Sequence, residues 1–359
     1  MFEFSRLAGL PVPGVVLLGV DHWHAEMHAR AARAQGLPLL GVWGEDPTRR
    51  RAMARRLRCP AMGSLDEALA LADRPRPPCF VVMGRPAQIA ERGLCVIRQG
   101  APLIIEKPVG VCAGDMAPLL QAQAEARDRG QGFVAVALPH GIGMLAALDA
   151  HRQGVGRLGL SHMHFELING PPQRYIDDGV PWVLQRALSG GGALRNLGIH
   201  GLHAFLALNA GHRVRLVHAS LGPRLFGTEV EDYAVVQLQA DNGCVGTVQV
   251  GYTHASLNTG LYRWRVAARG ATWEDDGAVL RLSLLDRARD EWRRLTRPAR
   301  RYEDFFAHSL KAMAQDSPPI ASLGDLQRAM ALIDRAYVLS DPGGGEPPAD
   351  PQRGGMEWL

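Results

Sequence analysis

Between residues 14 and 137, short wholly apolar runs recur at intervals that leave room for one helix between most of them. These are GVVLLGV (14–20), Pro38-Leu-Leu-Gly-Val-Trp43, Cys79-Phe-Val-Val-Met83, Pro102-Leu-Ile-Ile105 and Phe133-Val-Ala-Val-Ala137. All are short and several are rich in β-branched residues, so they read as buried strands rather than buried helices. Strands apolar on both faces must be covered on both faces, and parallel strands joined by crossover helices achieve this. Helical patterns near 25–35, 47–57, 87–99 and 115–129 fill the intervals. Asp46-Pro47 offers an N-cap with proline at the first helical position, and Ser64-Leu-Asp-Glu67 a capping box. The expectation is an α/β chain whose residues 1–137 form a Rossmann-like doubly wound parallel sheet.

After residue 140 the period changes. A helix over 143–153 leads to alternating apolar and polar residues in four segments, at 161–166, 233–238, 245–250 and 261–266, with the hairpin signal Asp241-Asn242-Gly243 between two of them. One-sided alternation predicts a second α/β domain over 138–340 with a largely antiparallel mixed sheet, one face of it exposed. A helix over 323–339 closes it, and 341–359 reads as a Pro/Gly-rich tail.

Composition narrows the function. A net charge of +4 spread over forty basic and thirty-six acidic residues is a mixed surface, so no nucleic-acid partner is expected. The arginine clusters Arg49-Arg50-Arg51 and Arg293-Arg294 read as solvated faces. No apolar run reaches the ~18 residues of a membrane span, and the start Met1-Phe2-Glu3-Phe4 has no basic leader segment. Five scattered cysteines without a C-x-x-C predict reduced thiols and a cytoplasmic protein.

Four segments carry candidate chemistry. In the first, Gly19-Val20-Asp21-His22-Trp23-His24 follows strand one, where a dinucleotide fold places G-x-G-x-x-G so that backbone amides approach a diphosphate. Only Gly19 fits, and Asp21 would repel a diphosphate unless it caps the next helix and turns away. In the second, strand two ends Gly44-Glu45-Asp46, putting glycine where an acid usually holds the ribose hydroxyls and Glu45 one step late. Arg49 or Arg50 could instead meet a ribose phosphate, leaving NAD and NADP both open. In the third, Glu106-Lys107-Pro108 ends a buried strand, where ligands of open parallel sheets bind. A lysine there can donate to a carbonyl or alkoxide and, with a lowered pKa, pass a proton. It is one of only two lysines in the chain, Lys107 and Lys311. In the fourth, a glycine run at 190–192 precedes a helix from Ala193 that would place Asn196, His200 and His203 on one face. His22, His24 and His28 lack a matched carboxylate or cysteine set, so no metal is expected.

Together, Glu106-Lys107-Pro108 and the G-G-G-A-L-x-N-x-G-x-H stretch at 190–200 resemble the Gfo/Idh/MocA oxidoreductases, named for glucose–fructose oxidoreductase and inositol dehydrogenase. The resemblance runs over about residues 14–340. It implies hydride transfer between NAD or NADP and a sugar, polyol or similar small substrate, in a homodimer or homotetramer. Lys107 matches the lysine that binds the reacting oxygen, His200 the acid/base histidine, and Asn196 the aspartate that accompanies them. Gly19, Val20, Asp21, His22, Trp23, Glu45, Met83, Gly84, Arg85, Glu106 and Lys107 are the residues expected at the cofactor. The chain departs from the pattern at Asp21, Gly44 and Asn196, and at Ala90 of Pro86-Ala-Gln-Ile-Ala90. Asparagine orients neighbours but accepts no proton. Two alternatives therefore stand beside the oxidoreductase: a silent homologue acting as a binding or scaffold protein, and an enzyme using NAD for non-redox glycoside cleavage.

Overall fold

The computed structural model describes residues 10–155, 159–297 and 300–340. The expected tail at 341–359, and Gly156 of the expected turn Gln153-Gly154-Val155-Gly156, lie outside the described residues. The chain divides into two compact units, Met1–Pro139 with Ala299–Leu326 and His140–Pro298 with Gln327–Leu359, over the described residues of each.

The first unit alternates β1 (Val15–Leu18), α1 (Ala25–Ala34), β2 (Leu39–Trp43), α2 (Pro47–Leu57), α3 (Leu65–Leu69), β3 (Cys79–Val82), α4 (Pro86–Arg98), β4 (Leu103–Ile105), α5 (Ala117–Asp128) and β5 (Val134–Val136). The five strands pair in parallel in the order β2-β1-β3-β4-β5. Residues 60–62 run beside β2, where the Val42 N–H donates to the Pro60 carbonyl and the Met62 N–H to the Val42 carbonyl, both at 2.9 Å. With that vestigial strand the order is the dinucleotide-binding one, in which the winding reverses between β1 and β3. The carboxyl ends of those two strands therefore border the ligand crevice of such a sheet. Both strands are wholly buried, as their unbroken apolar runs require. Asp46 caps α2, accepting from the Thr48 and Arg49 N–H groups at 2.7 and 3.1 Å, and the Ser64 hydroxyl accepts from the Glu67 N–H at 3.0 Å to start α3.

The second unit opens with α6 (Ile142–Val155), β6 (Leu160–Ile168), α7 (Gln173–Asp177), α8 (Arg186–Ser189) and a π-helical turn, Leu194–Gly198, that runs into α9 (Ile199–Leu208). There follow β7 (Val214–Leu221), β8 (Tyr233–Ala240), β9 (Val245–Gly251), β10 (Leu261–Ala268), β11 (Ala271–Asp275), β12 (Val279–Leu284) and β13 (Glu291–Arg294). Their order is β13-β12-β11-β10-β6-β9-β8-β7, with β6 and β9 parallel and every other neighbouring pair antiparallel. Residues 241–243 turn β8 into β9, as their sequence predicts, with the Gly243 N–H donating to the Ala240 carbonyl. On β8, Ala234, Val236 and Leu238 point inward and alternate with residues that keep some exposure. On the opposite face Arg265 and Arg281 share Glu274 at 2.9 and 2.5 Å. Strands β7, β11, β12 and β13 were not expected from the sequence, and β13 is exposed throughout.

Two further helices are described, α10 (Arg301–Ala314) and α11 (Leu323–Ser340). Helix α10 belongs to the first unit, where it packs against α1, with the Tyr302 ring edge-on to His28 at 4.7 Å. The Ala321 carbonyl, after α10, accepts from the Val136 N–H of β5 at 2.9 Å. A division of the chain by position alone makes no provision for this return.

Candidate active site

Gly19 ends β1 at φ +88°, and a Cβ there would stand 1.9 Å from the Met83 carbonyl oxygen, so only glycine fits. Val20 and Met83 are buried, their N–H groups held by Trp43 and Leu18, and Gly84 and Arg85 lead from β3 into α4. His22 stacks on Trp23 with ring centres 3.9 Å apart, and burial holds it well below the usual histidine range, hence neutral. The crevice edge thus presents glycine backbone and flat rings.

Asp21 does not cap α1. The N-cap is His24, which supplies no side-chain bond. The Asp21 carboxylate instead turns toward the end of β2, where burial raises its pKa and the nearby backbone N–H groups of Glu45 and Asp46 offset part of that. Its Oδ2 lies 3.0 Å from the point where a Cβ on Gly44 would stand. Glu45 points elsewhere: its carboxylate accepts from Arg92 and Gln88, each at 2.7 Å. Arg92 is buried, donates to the Met83 carbonyl and lies 4.9 Å over the Trp43 ring. Arg50 donates to the Gly44 carbonyl at 3.1 Å.

Beyond β4, Glu106 is 0% exposed. Its Oε1 faces His24 Nδ1 at 2.9 Å, His28 Nε2 at 2.8 Å and the Tyr302 hydroxyl at 2.8 Å. Burial alone would raise this carboxyl's pKa. The charge and hydrogen bond of His24, with those of His28, outweigh it and hold the group well below the carboxylate range. Tyr302 is pushed the other way, by burial and by the Glu106 charge. Lys107 is 7% exposed, and burial lowers its amine to about 8, the neighbouring Glu106 offsetting only part of that. An amine so poised exchanges its proton near neutral pH, which no arginine does.

No matched carboxylate was expected for His24 and His28, yet His24, just before α1, and His28, one turn on within it, share Glu106. Tyr302 lies 196 residues from Glu106 and offered no signal in the sequence. Among the described residues no group of three or more His, Cys, Asp and Glu is arranged to hold a metal.

In the second unit the glycine run is filled by protein. Gly191 sits at φ +154° with its would-be Cβ 2.0 Å from the Tyr337 hydroxyl, and a Cβ on Gly192 would stand 2.3 Å from the Glu231 carbonyl oxygen. The Glu231 carboxylate accepts from the Gly192 and Leu194 N–H groups at 3.0 and 2.9 Å and from the Tyr337 hydroxyl at 2.8 Å. This buried acid closes the start of the following helix, the work of an N-cap done from a distant loop.

The expected α-helix from Ala193 is corrected here. Residues 194–198 form a π turn, over which the 3.6-residue period and the shared face reckoned from it do not hold. The Asn196 amide donates to the Tyr175 and Tyr252 hydroxyls at 3.2 and 3.1 Å. Burial pushes Tyr175 up to about 12 and Tyr252 well above the phenol range, so both stay protonated. His200, buried on α9, meets the His140 ring edge-on at 4.5 Å, and His203 is buried further along the same helix. His140, Tyr175 and Tyr252 carried no motif in the sequence.

Residues 152–272 match the model of the GFO/IDH/MocA C-terminal domain. Among curated proteins no sequence matches. Among solved structures the chain is similar to an inositol dehydrogenase homolog from Azotobacter vinelandii complexed with NAD+, at 15% identity over 95% of this chain and 98% of that one, with a TM-score of 0.79. It is also similar to an aldose-aldose oxidoreductase from Caulobacter crescentus complexed with glycerol, at 20% identity, 92% and 98% coverage and a TM-score of 0.75. An oxidoreductase domain protein from Kribbella flavida gives 18% identity, 92% and 98% coverage and the same TM-score, 0.75. Likeness at these identities speaks for the fold, and the domain match for residues 152–272. The segment that matches the GFO/IDH/MocA C-terminal domain thus follows a dinucleotide-type sheet, and the chain has the fold of these solved structures.

Proposed function

We propose that the protein is an NAD(P)-dependent oxidoreductase that moves a hydride to or from a CH–OH carbon of a small sugar- or polyol-like substrate. The observation that carries this is Lys107: a buried amine with a pKa of about 8, beyond the carboxyl end of β4 in a sheet of dinucleotide-binding order. The crevice residues fit a dinucleotide. Gly19 leaves room for close approach, His22 and Trp23 offer a flat wall, and the buried Asp21 Oδ1 has no hydrogen-bond partner among the described residues. A bound nicotinamide would supply hydride acceptance or donation. Solved structures of the same fold carry NAD+, or NADH with myo-inositol, which supports the substrate class.

In this reading Lys107 donates a hydrogen bond from its ammonium to the reacting oxygen, drawing electron density from a carbonyl or stabilising an alkoxide. His200, in edge contact with His140, passes the proton. Asn196 cannot accept a proton; it holds the Tyr175 and Tyr252 hydroxyls in place. Burial of Glu106 with its three donors keeps a fixed negative charge next to Lys107, so the amine stays cationic below pH 8 despite its own burial. A homodimer or homotetramer belongs to the same proposal.

Titration of the purified protein with NADH and NADPH, followed by nicotinamide fluorescence, tests the reading. Saturable binding of one or both is expected. No binding of either overturns it in favour of a silent binding protein.

A further inference from the structure

We propose that Asp21 selects NAD over NADP, its carboxylate taking the two hydroxyls of the adenosine ribose from the position that a β2-terminal acid holds in other dinucleotide folds. The inference rests on the cofactor reading above and decides what that reading leaves open.

In dinucleotide folds the residue that holds the ribose hydroxyls stands at the end of the second strand. Here that position is Gly44, which has no side chain to offer. The space is filled from another element: Asp21, on the turn after β1, brings Oδ2 to within 3.0 Å of where a Gly44 Cβ would lie. The nearby backbone N–H groups of Glu45 and Asp46 favour its charged form there. This accounts for two departures from the dinucleotide pattern at once. A glycine at 44 leaves room for the Asp21 carboxylate, and an aspartate at 21 faces the end of β2 instead of capping α1.

The two other acids of the neighbourhood are committed. Glu45 receives Arg92 and Gln88 at 2.7 Å each and lies 3.7 Å from Arg85. Asp46 caps α2. Asp21 retains one oxygen, Oδ1, that is shielded from solvent yet without a hydrogen-bond partner among the described residues. A carboxylate oxygen in that state is completed by an incoming donor, and a vicinal diol supplies two. Asp21 as a whole residue remains part-exposed. A 2′-phosphate would instead bring negative charge and no donor against Asp21, with Asp46 close behind it. Of the arginines that might answer such a phosphate, Arg50 donates to the Gly44 carbonyl, while Arg49 lies 3.9 Å from Asp46 with its side chain largely open to solvent.

The test is equilibrium binding of NADH and NADPH to wild type, Asp21→Asn, Asp21→Ala and the relocated acid Asp21→Ala/Gly44→Asp, with thermal melts to verify folding. Wild type is expected to bind NADH at least tenfold tighter than NADPH. Both single variants should lose at least tenfold in NADH affinity, the scale of a charge-assisted hydrogen bond, with NADPH affinity unchanged or improved. The double variant should recover the NADH preference, since Gly44 has no positive φ and removal of the Asp21 carboxylate leaves only Val20 Cγ2, 3.1 Å from the new Cβ, to give by a few tenths of an ångström. Asp21→Asn keeps the shape of the turn if Asp21→Ala does not fold. Tighter binding of NADPH by wild type, or an unchanged NADH/NADPH ratio in the folded single variants, overturns this inference alone. Failure of wild type to bind either nucleotide overturns it together with the cofactor reading.

Discussion

Lys107 is an amine in a chain where thirty-eight of the forty basic side chains are guanidinium groups. Its place at a strand end was legible, because Glu106-Lys107-Pro108 interrupts an apolar run with two charges. What tunes it was not, since His24, His28 and Tyr302 are drawn to Glu106 only by folding. Lys107→Arg retains charge but cannot lose a proton and is larger. It should lower turnover by about 10²-fold or more while leaving nucleotide binding within a few fold; near-normal turnover would remove Lys107 from the chemistry. A stability effect follows from the same amine. Its folded pKa of about 8 lies below the ordinary 10.5, so between those values the unfolded chain binds the extra proton. Lys107 therefore opposes folding fully below pH 8, and stability should rise as pH climbs from about 8 toward 10.5. Urea unfolding of wild type and Lys107→Met across that range isolates the contribution: the slope should be steeper in wild type, and parallel slopes would contradict the assigned burial.

At the scale of elements, the first sheet and its helices were readable to within a residue or two, because apolar runs and caps such as Asp46 and Ser64 are local signals. Ser64→Ala should cost about 1 kcal/mol by chemical denaturation, as loss of an N-cap generally does. The segment after the glycine run was misread as α-helix from Ala193. Its π turn is set by Glu231 and Tyr337, which meet Gly192 and Leu194 from far along the chain. Gly191→Ala should destabilise by about 2–4 kcal/mol, since a methyl group there overlaps the Tyr337 hydroxyl at an unfavourable φ. A loss below about 0.5 kcal/mol, within the range of an ordinary surface change, would show that the turn relaxes freely. Strands β11 to β13 escaped notice because their residues are mixed in polarity and β13 is exposed throughout, so no periodic burial marks it.

At the scale of the molecule, the first unit is completed by residues that follow the second in sequence. Tyr302 bonds Glu106, and the Ala321 carbonyl receives the β5 amide. A fragment ending at Pro139 should therefore fail to unfold cooperatively, whereas one in which residues 300–326 are joined by a flexible linker should regain a sigmoidal urea transition; cooperative unfolding of the short fragment would contradict the need for α10. The open face of the second sheet carries Arg265, Arg281 and Glu274, and its edge carries Trp292 at 66% exposure. If the proposed self-association uses this sheet, Trp292→Glu should shift sedimentation toward the monomer. Local pattern was enough for the two kinds of sheet, their order along the chain and the strand-end lysine, because periodicity, capping and turn chemistry act over a few residues. Which acid stands at the end of β2, what holds Glu106 and where α10 belongs are settled only by folding. Those are contacts between residues tens to hundreds of positions apart, and their energies depend on burial that no local pattern records.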